Sequence, residues 1–523
     1  MIPKRFIVFR FCAKIQYFSK MLVSNNVLPL QRNTIFMKNR HIILIITLLL
    51  LVGQACRKIN PISDDPSKKL EFSADTILFD TVFTTLGSTT HQLRIYNKNN
   101  EDLKISSIRL IGGESSPFRI NFDGDNNIEF YDKVIPAKDS LFTFLRVTIN
   151  PNDLNTPFIV EDELEFITNG NAQTIKLLAW GQNANYIVAD KVVNIGGVPY
   201  RYHIVADSLE TTVWTSERPY VIYGYALINS YGTLRIKEGT HVYCHQDGGI
   251  FSWSDGQLII DGTAENPVIV EGDRLESYYD DTPGQWGQIL LLDGRAGADH
   301  RVSHAIIRNG TIGLNCQSSL KVTQCALRVD NTIIENQSGY GMFSILYPVE
   351  VKNFSIANCG KANFWAFGGD YRLVHGTIAD NWNGNNHKNC RAMELSNFAT
   401  DGQTNEAFYY PFSMEVDNCI IYGSQADELV THFGPDADST FLFDHCLLKT
   451  EKYNGTMAGF SHCLFNQDPY FADIYTNDMH IDSIASPVIG TGNPLFGNEL
   501  PYDLDGVLRN GRVDIGAYQY IPR

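Results

Sequence analysis

Between residues 300 and 465, apolar and polar positions return in a fixed order. The markers are His304, Asn331, Asn353, His375, Asn397, Asn418, His445 and His462, spaced 27, 22, 22, 22, 21, 27 and 17 residues apart. Two positions before each marker stands an apolar residue: Val302, Val329, Val351, Leu373, Leu395, Val416, Phe443 and Phe460. Four before, Leu327, Val349, Tyr371, Met393, Met414, Phe441 and Ala458 repeat the pattern, with His300 the exception. Three after stand Ile307, Ile334, Ile356, Ile378, Ile421, Leu448 and Phe465, with Thr400 the exception. Apolar positions two apart define the inward face of a strand. The step of five across the marker is odd, so the chain bends there. Asn tolerates the left-handed conformation that such a bend needs. Short strands and bends in a unit of about 22 residues predict a parallel β-helix, in which each turn buries its apolar column on the next about 4.8 Å away. Segment 221–292 shows the same alternation in Leu234-Arg235-Ile236 and Leu258-Ile259-Ile260.

Residues 70–188 read differently. Runs such as Gln92-Leu93-Arg94-Ile95-Tyr96 and Leu141-Phe142-Thr143-Phe144-Leu145 alternate strictly and are split by turn residues, without a helical period. They predict a β-sandwich.

Charge changes the picture at the N-terminus. Residues 1–55 hold eight Lys/Arg and no Asp or Glu, so the remaining chain carries 34 basic against 58 acidic residues. A body that acidic is a poor partner for nucleic acid. From Met37 a basic stretch leads into the apolar run Ile42–Val52 and then Gly53-Gln54-Ala55-Cys56. That run is too short for a membrane-spanning helix and suits a signal peptide. Cys56 after a small residue resembles the lipobox of bacterial lipoproteins, which implies a lipidated Cys56 and a cell-envelope location, at the outer membrane or exposed on the cell surface. Residues 1–55 are then an upstream extension and signal peptide, and 56–69 a polar tether holding Pro61 and Pro66.

The run Asp80–Ser88 followed by Leu93–Asn97 resembles immunoglobulin-like domains of Gram-negative envelope lipoproteins. Gly232–Thr240, Gly256–Thr263 and Pro283–Gly287 resemble right-handed parallel β-helix proteins of the pectate-lyase-like type. The tail Ser486–Gly490, Asp503–Gly506 and Asp514-Ile515-Gly516-Ala517-Tyr518 resembles the ending of many surface β-helix proteins. Together the expected fold is all-β: a sandwich over 70–188, a right-handed parallel β-helix over 189–485 and a C-terminal cap over 486–523. The resemblance implies fold and envelope location more than activity, because this fold hosts lyases, hydrolases, adhesins and passive stalks.

Candidate chemistry is sparse. His304, His375, His445 and His462 occupy the Asn column, so they read as bend residues strung along an axis, and no metal site is expected of them. Cys419, Cys446 and Cys463 follow that column by one residue and read as stacked small hydrophobes, with a bridge between turns left open. Polygalacturonases share the fold, but Asp280-Asp281, His375-Gly376 and Arg235-Ile236-Lys237 stand in the wrong order for their motifs. Asp503-Leu504-Asp505-Gly506 begins like a calcium loop and lacks the later ligands, and Arg509 is expected to pair with a nearby acid. Outward positions just before the bends turn acidic toward the C-terminus and nominate Arg372, Glu394, Glu415, Asp417 and Asp444. Adjacent turns are expected to place Glu394 over Glu415 and Asp417 near Asp444, a spacing suited to glycoside hydrolysis or to calcium. Trp365 and Trp382 are candidate platforms for sugar rings. The leading reading is glycan binding or adhesion by a lipid-anchored envelope protein. A polysaccharide lyase or glycosidase and a passive structural role are the alternatives.

Overall fold

The computed structural model describes residues 61–84, 87–151, 157–318, 326–381, 390–400, 406–435, 438–509 and 511–522. The chain divides into two compact units between Asn183 and Ala184.

The first unit is a sandwich. One sheet holds Asp102–Leu110, Phe158–Thr168, Asn171–Gln182, Thr76–Phe83 and Glu129–Ile135; the other holds His91–Tyr96, Ser140–Val147 and Phe118–Phe122. Alternation produces it: Leu103, Ile105, Ile108 and Leu110 of one strand are buried with Leu93, Ile95 and Leu145 of the opposite sheet. The expected tether ends earlier than residue 69. Ile62–Ser63 pairs in parallel with Asp102 and Leu103, and the Asn169 and Asn171 carboxamides donate to the Asp65 and Pro66 carbonyls, both at 2.9 Å.

The second unit is a parallel β-helix with an eighteen-stranded and a ten-stranded sheet. It begins before residue 189, because Asn185–Val188 pairs with Tyr220–Tyr223. Val302, Val329, Val351, Leu373, Val416, Phe443 and Phe460 follow one another in register through the eighteen-stranded sheet and are buried. Each marker beside them is left-handed: His304, Asn331, Asn353, His375, Asn418, His445 and His462 have φ between 47° and 53°. Burying the apolar residues on both sides of an odd step forces this bend.

Asn397 is the exception, and it corrects the expected register. Arg391–Ser396 lies in the ten-stranded sheet, between Ala362–Phe367 and Leu429–His432. The turn after His375 is therefore that of Asn418. Met393 and Leu395 are buried from the other wall of the coil, which gives the same two-residue spacing. Asn397 is buried for another reason: its carboxamide donates to Gly434 O and Ser439 Oγ and accepts from Gly434 N.

The C-terminal segment differs from an end cap. It runs along the flank of the coil. Ala517 and Tyr518 pack on Ala357 and Ala379, and Val488 and Ile515 on Ile420 and Leu447. Buried Arg509 donates to Asn353 Oδ1 at 2.8 Å and to the Leu500 and Ala517 carbonyls. With the Tyr502 carbonyl, these neutral oxygens, rather than the expected acid, are its hydrogen-bond partners. The Asp503 carboxylate is consumed by the Asp505, Val507 and Gln519 amides, so it builds a turn rather than a calcium loop. The helix Pro494–Glu499, capped by the Asn493 side chain, lies beside the bends.

Candidate functional site

The sequence-nominated residues fall on two different faces. Trp382 and Cys56 lie outside the described residues. Arg372, Glu415, Asp417 and Asp444 stand on the eighteen-stranded sheet, where Arg372 is in register with Glu415 and Asp417 with Asp444. Glu394 is on the ten-stranded sheet, in register with Trp365 on one side and Val430 on the other. The expected stacking of Glu394 over Glu415 is therefore absent, because the register passes directly from Leu373 to Val416.

On the charged flank the tail reaches the site. Glu499 bridges Lys352 Nζ at 2.8 Å and Arg372 Nη2 at 3.2 Å, and Arg372 also meets Glu350 at 3.1 Å. Asp417 and Asp444, neighbours across the turn, differ in proton affinity. Burial, followed by the nearby charges of Asp444 and Glu415, raises the Asp417 carboxyl to about 7. Burial works the same way on Asp444, but the hydrogen bond from His462 and the close approach of His445 outweigh it and bring this carboxyl down to about 2. One acid therefore holds a proton near neutrality while its neighbour is ionised, which is how acid and base roles separate. Asn493 of the tail donates to Asp444 Oδ2 at 3.2 Å.

His445 and His462 were read as bend residues alone. Bend residues they are, yet both rings also converge on Asp444. Their Nδ1 atoms lie 3.0 Å from its Oδ2 and Oδ1, respectively, and the rings stack at 4.5 Å. The signal was present in the sequence: these two histidines mark consecutive turns, and Asp444 immediately precedes the first. His375 behaves as expected, buried and hydrogen-bonded through Nε2 to Asn418. Gly376 follows it because Phe354 leaves no room for a side chain, with its ring 2.1 Å from where a Cβ would sit.

Cys419, Cys446 and Cys463 stack along the interior as free thiols. Cys446 and Cys463 donate to the carbonyls of Val416 and Phe443 in the preceding turn.

The other face is aromatic. On the outer side of the ten-stranded sheet, Phe343 and Trp365 stack at 4.5 Å with planes 7° apart. Phe367 lies beside Trp365, and Tyr340 borders Phe343 at 5.0 Å with Lys361 over its ring. Phe398 and Tyr409, from the hairpin Phe398–Thr400 and Ala407–Tyr409, stack on each other, and Tyr410 meets Phe367 at 5.5 Å. In the next turns Trp365 is followed by Glu394 and then Val430, and Phe367 by Ser396 and then His432, which lies 3.7 Å from Glu394. Sequence reasoning found Trp365 and Glu394 but not Phe343, Phe367 or His432. The 22-residue step from Phe343 to Trp365, equal to the turn length, was the available sign.

No family model and no curated protein matches this chain. Among solved structures, a family 123 glycoside hydrolase from Clostridium perfringens is similar at 10% identity and a TM-score of 0.16, covering 21% of this chain and 25% of that one. A PapD-like domain of human CEP192 is similar at 14% identity and a TM-score of 0.16, covering 25% of this chain and 95% of that one. The periplasmic chaperone SfaE is similar at 13% identity and a TM-score of 0.16, covering 22% and 58%. The chain thus spans a quarter of the hydrolase's length, and at these scores the likenesses carry no functional argument.

Proposed function

We propose that this is a lipid-anchored envelope protein that binds a glycan along the outer face of the ten-stranded sheet. The observation carrying this reading is the succession of Phe343, Trp365 and Glu394 in one register column, with His432 of the adjoining column 3.7 Å from Glu394. An indole face takes the apolar side of a sugar ring, and a carboxylate with an imidazole takes its hydroxyls. Phe343 and Phe367 are buried, while Trp365 and its register neighbour Glu394 are partly exposed and form the accessible part of this face. The acidic body favours a neutral glycan over a strongly anionic one, since like charges repel unless a cation such as calcium bridges them. Membrane attachment rests on Cys56, and Cys56→Ser is expected to release the protein from membranes.

A hydrolase or lyase reading is supported by the split proton affinities of Asp417 and Asp444. Binding comes first because the tail already engages this flank through Asn493 and Glu499. A glycan array run with reducing-end and unsaturated-product assays on the same protein separates the readings. Binding without product supports a binding module, product formation an enzyme, and neither a structural role.

A further inference from the structure

We propose that Asp444, His445 and His462 form a site for one divalent transition-metal ion of the zinc class. Their ligand atoms lie within 4.8 Å of one another, and each Nδ1 faces a different oxygen of Asp444 at 3.0 Å. Ligands on a tetrahedral zinc with bonds of about 2.0–2.1 Å stand about 3.3 Å apart, so small rotations of the two rings and the carboxylate bring all three groups onto one ion. Two nitrogens and one carboxylate favour zinc-like ions over calcium, which takes six or more oxygens.

The scaffold fixes this arrangement. His445 and His462 occupy equivalent left-handed bends, with φ of 48° and 51°, in consecutive turns. Their stacked rings are therefore held on the same side. His445 Nδ1 is buried and, although near Asp444, lacks a hydrogen-bond partner in line with it. Such an orphaned lone pair or proton is costly unless a ligand uses it. Asn493 donates to Asp444 Oδ2, an outer partner of the kind that orients metal-binding carboxylates. The His462 side chain is 70% exposed, so the fourth position opens to solvent. His304 and His375 lack this convergence: His304 faces Ser303 Oγ, as His462 faces Ser461 Oγ at 2.8 Å, but forms no ion pair among the described residues, and His375 is bonded to Asn418.

The repeat itself supplies the control substitutions, because Asn stands at this bend in other turns. Untagged protein is titrated with Zn²⁺ by calorimetry and with Co²⁺ by visible absorption, with circular dichroism to confirm folding. The wild type and His304→Asn are expected to bind one ion, with the intense d–d bands of low-coordinate cobalt and a raised unfolding temperature. His462→Asn, folded, is expected to lose affinity by at least the 10–100-fold or so that removal of a mere outer partner costs. Asp444→Asn should lose it similarly. Absence of stoichiometric binding by the wild type, or undiminished binding by folded His462→Asn, would overturn the site.

Discussion

The charged flank beside the bends and the aromatic face of the ten-stranded sheet are built by the same turns, yet they are finished differently. On the flank, the chain's own tail occupies the charges: Glu499 holds Lys352 and Arg372, and Asn493 holds Asp444. On the aromatic face, Trp365 stacks on a neighbour within the sheet, and the Glu394 and His432 side chains remain 33% and 53% exposed. The repeat announces where the backbone must bend. It does not announce which outer surface is left for a ligand, because that depends on where a non-repeating tail lies.

The sharpest way to break the comparison is through the wall that the faces share. Val351 is fully buried between the sheets, and Val351→Asp places an unpaired charge there. A loss of about 4 kcal/mol or more is expected, with both faces lost together. Lys352→Asp should cost only about 1–2 kcal/mol, because it removes partly buried ion pairs with Glu350 and Glu499 on the flank alone. Urea unfolding of the two variants tests this, and equal losses would show that the strand phase is wrong.

A smaller effect isolates the tail. His480 sits between Asp505, 2.6 Å from Nε2, and Asp478, 2.5 Å from Nδ1. The Asp505 hydrogen bond, followed by opposing burial and then the Asp478 bond, raises its pKa from the usual 6.5 to about 9. The protonated form is thus favoured in the folded state. Its contribution is full below pH 6.5 and is lost as the pH rises toward 9. The thermal midpoint of the wild type should exceed that of His480→Asn most at pH 6.5, with the gap closing by pH 9. A constant gap would remove His480 as a charged clasp of the tail.

How far the sequence could be read follows from the same contrast. Seven left-handed bends and the Val302-to-Phe460 column were legible because burial on both sides of an odd step leaves the backbone little choice. Asn397 misled because Met393 and Leu395 bury with the same period from the opposite wall. The pairing of Asp417 with Asp444 was legible from register, since both precede true bends. Two histidines on consecutive turns behind Asp444 were a sign of their convergence on it, but only a partial one, because a column of histidines looks the same whether the rings point apart or together. The course of the tail was illegible for a different cause. Arg509, Asp514 and Gly516 make isolated long-range bonds to the coil or the tail itself, such as Gly516 N to Asn418 O, and these follow no period.

The central claim is that glycan recognition belongs to the aromatic face and not to the charged flank. A glycan identified on the array is titrated by calorimetry against the wild type, Trp365→Ala, and the double variant Glu415→Gln with Asp417→Asn. Trp365→Ala is expected to weaken binding by about 1–3 kcal/mol, roughly 5- to 150-fold, as loss of an aromatic platform does, while the double variant binds like the wild type. Undiminished binding by folded Trp365→Ala, with binding lost in the folded double variant, would contradict the account and move recognition to the flank.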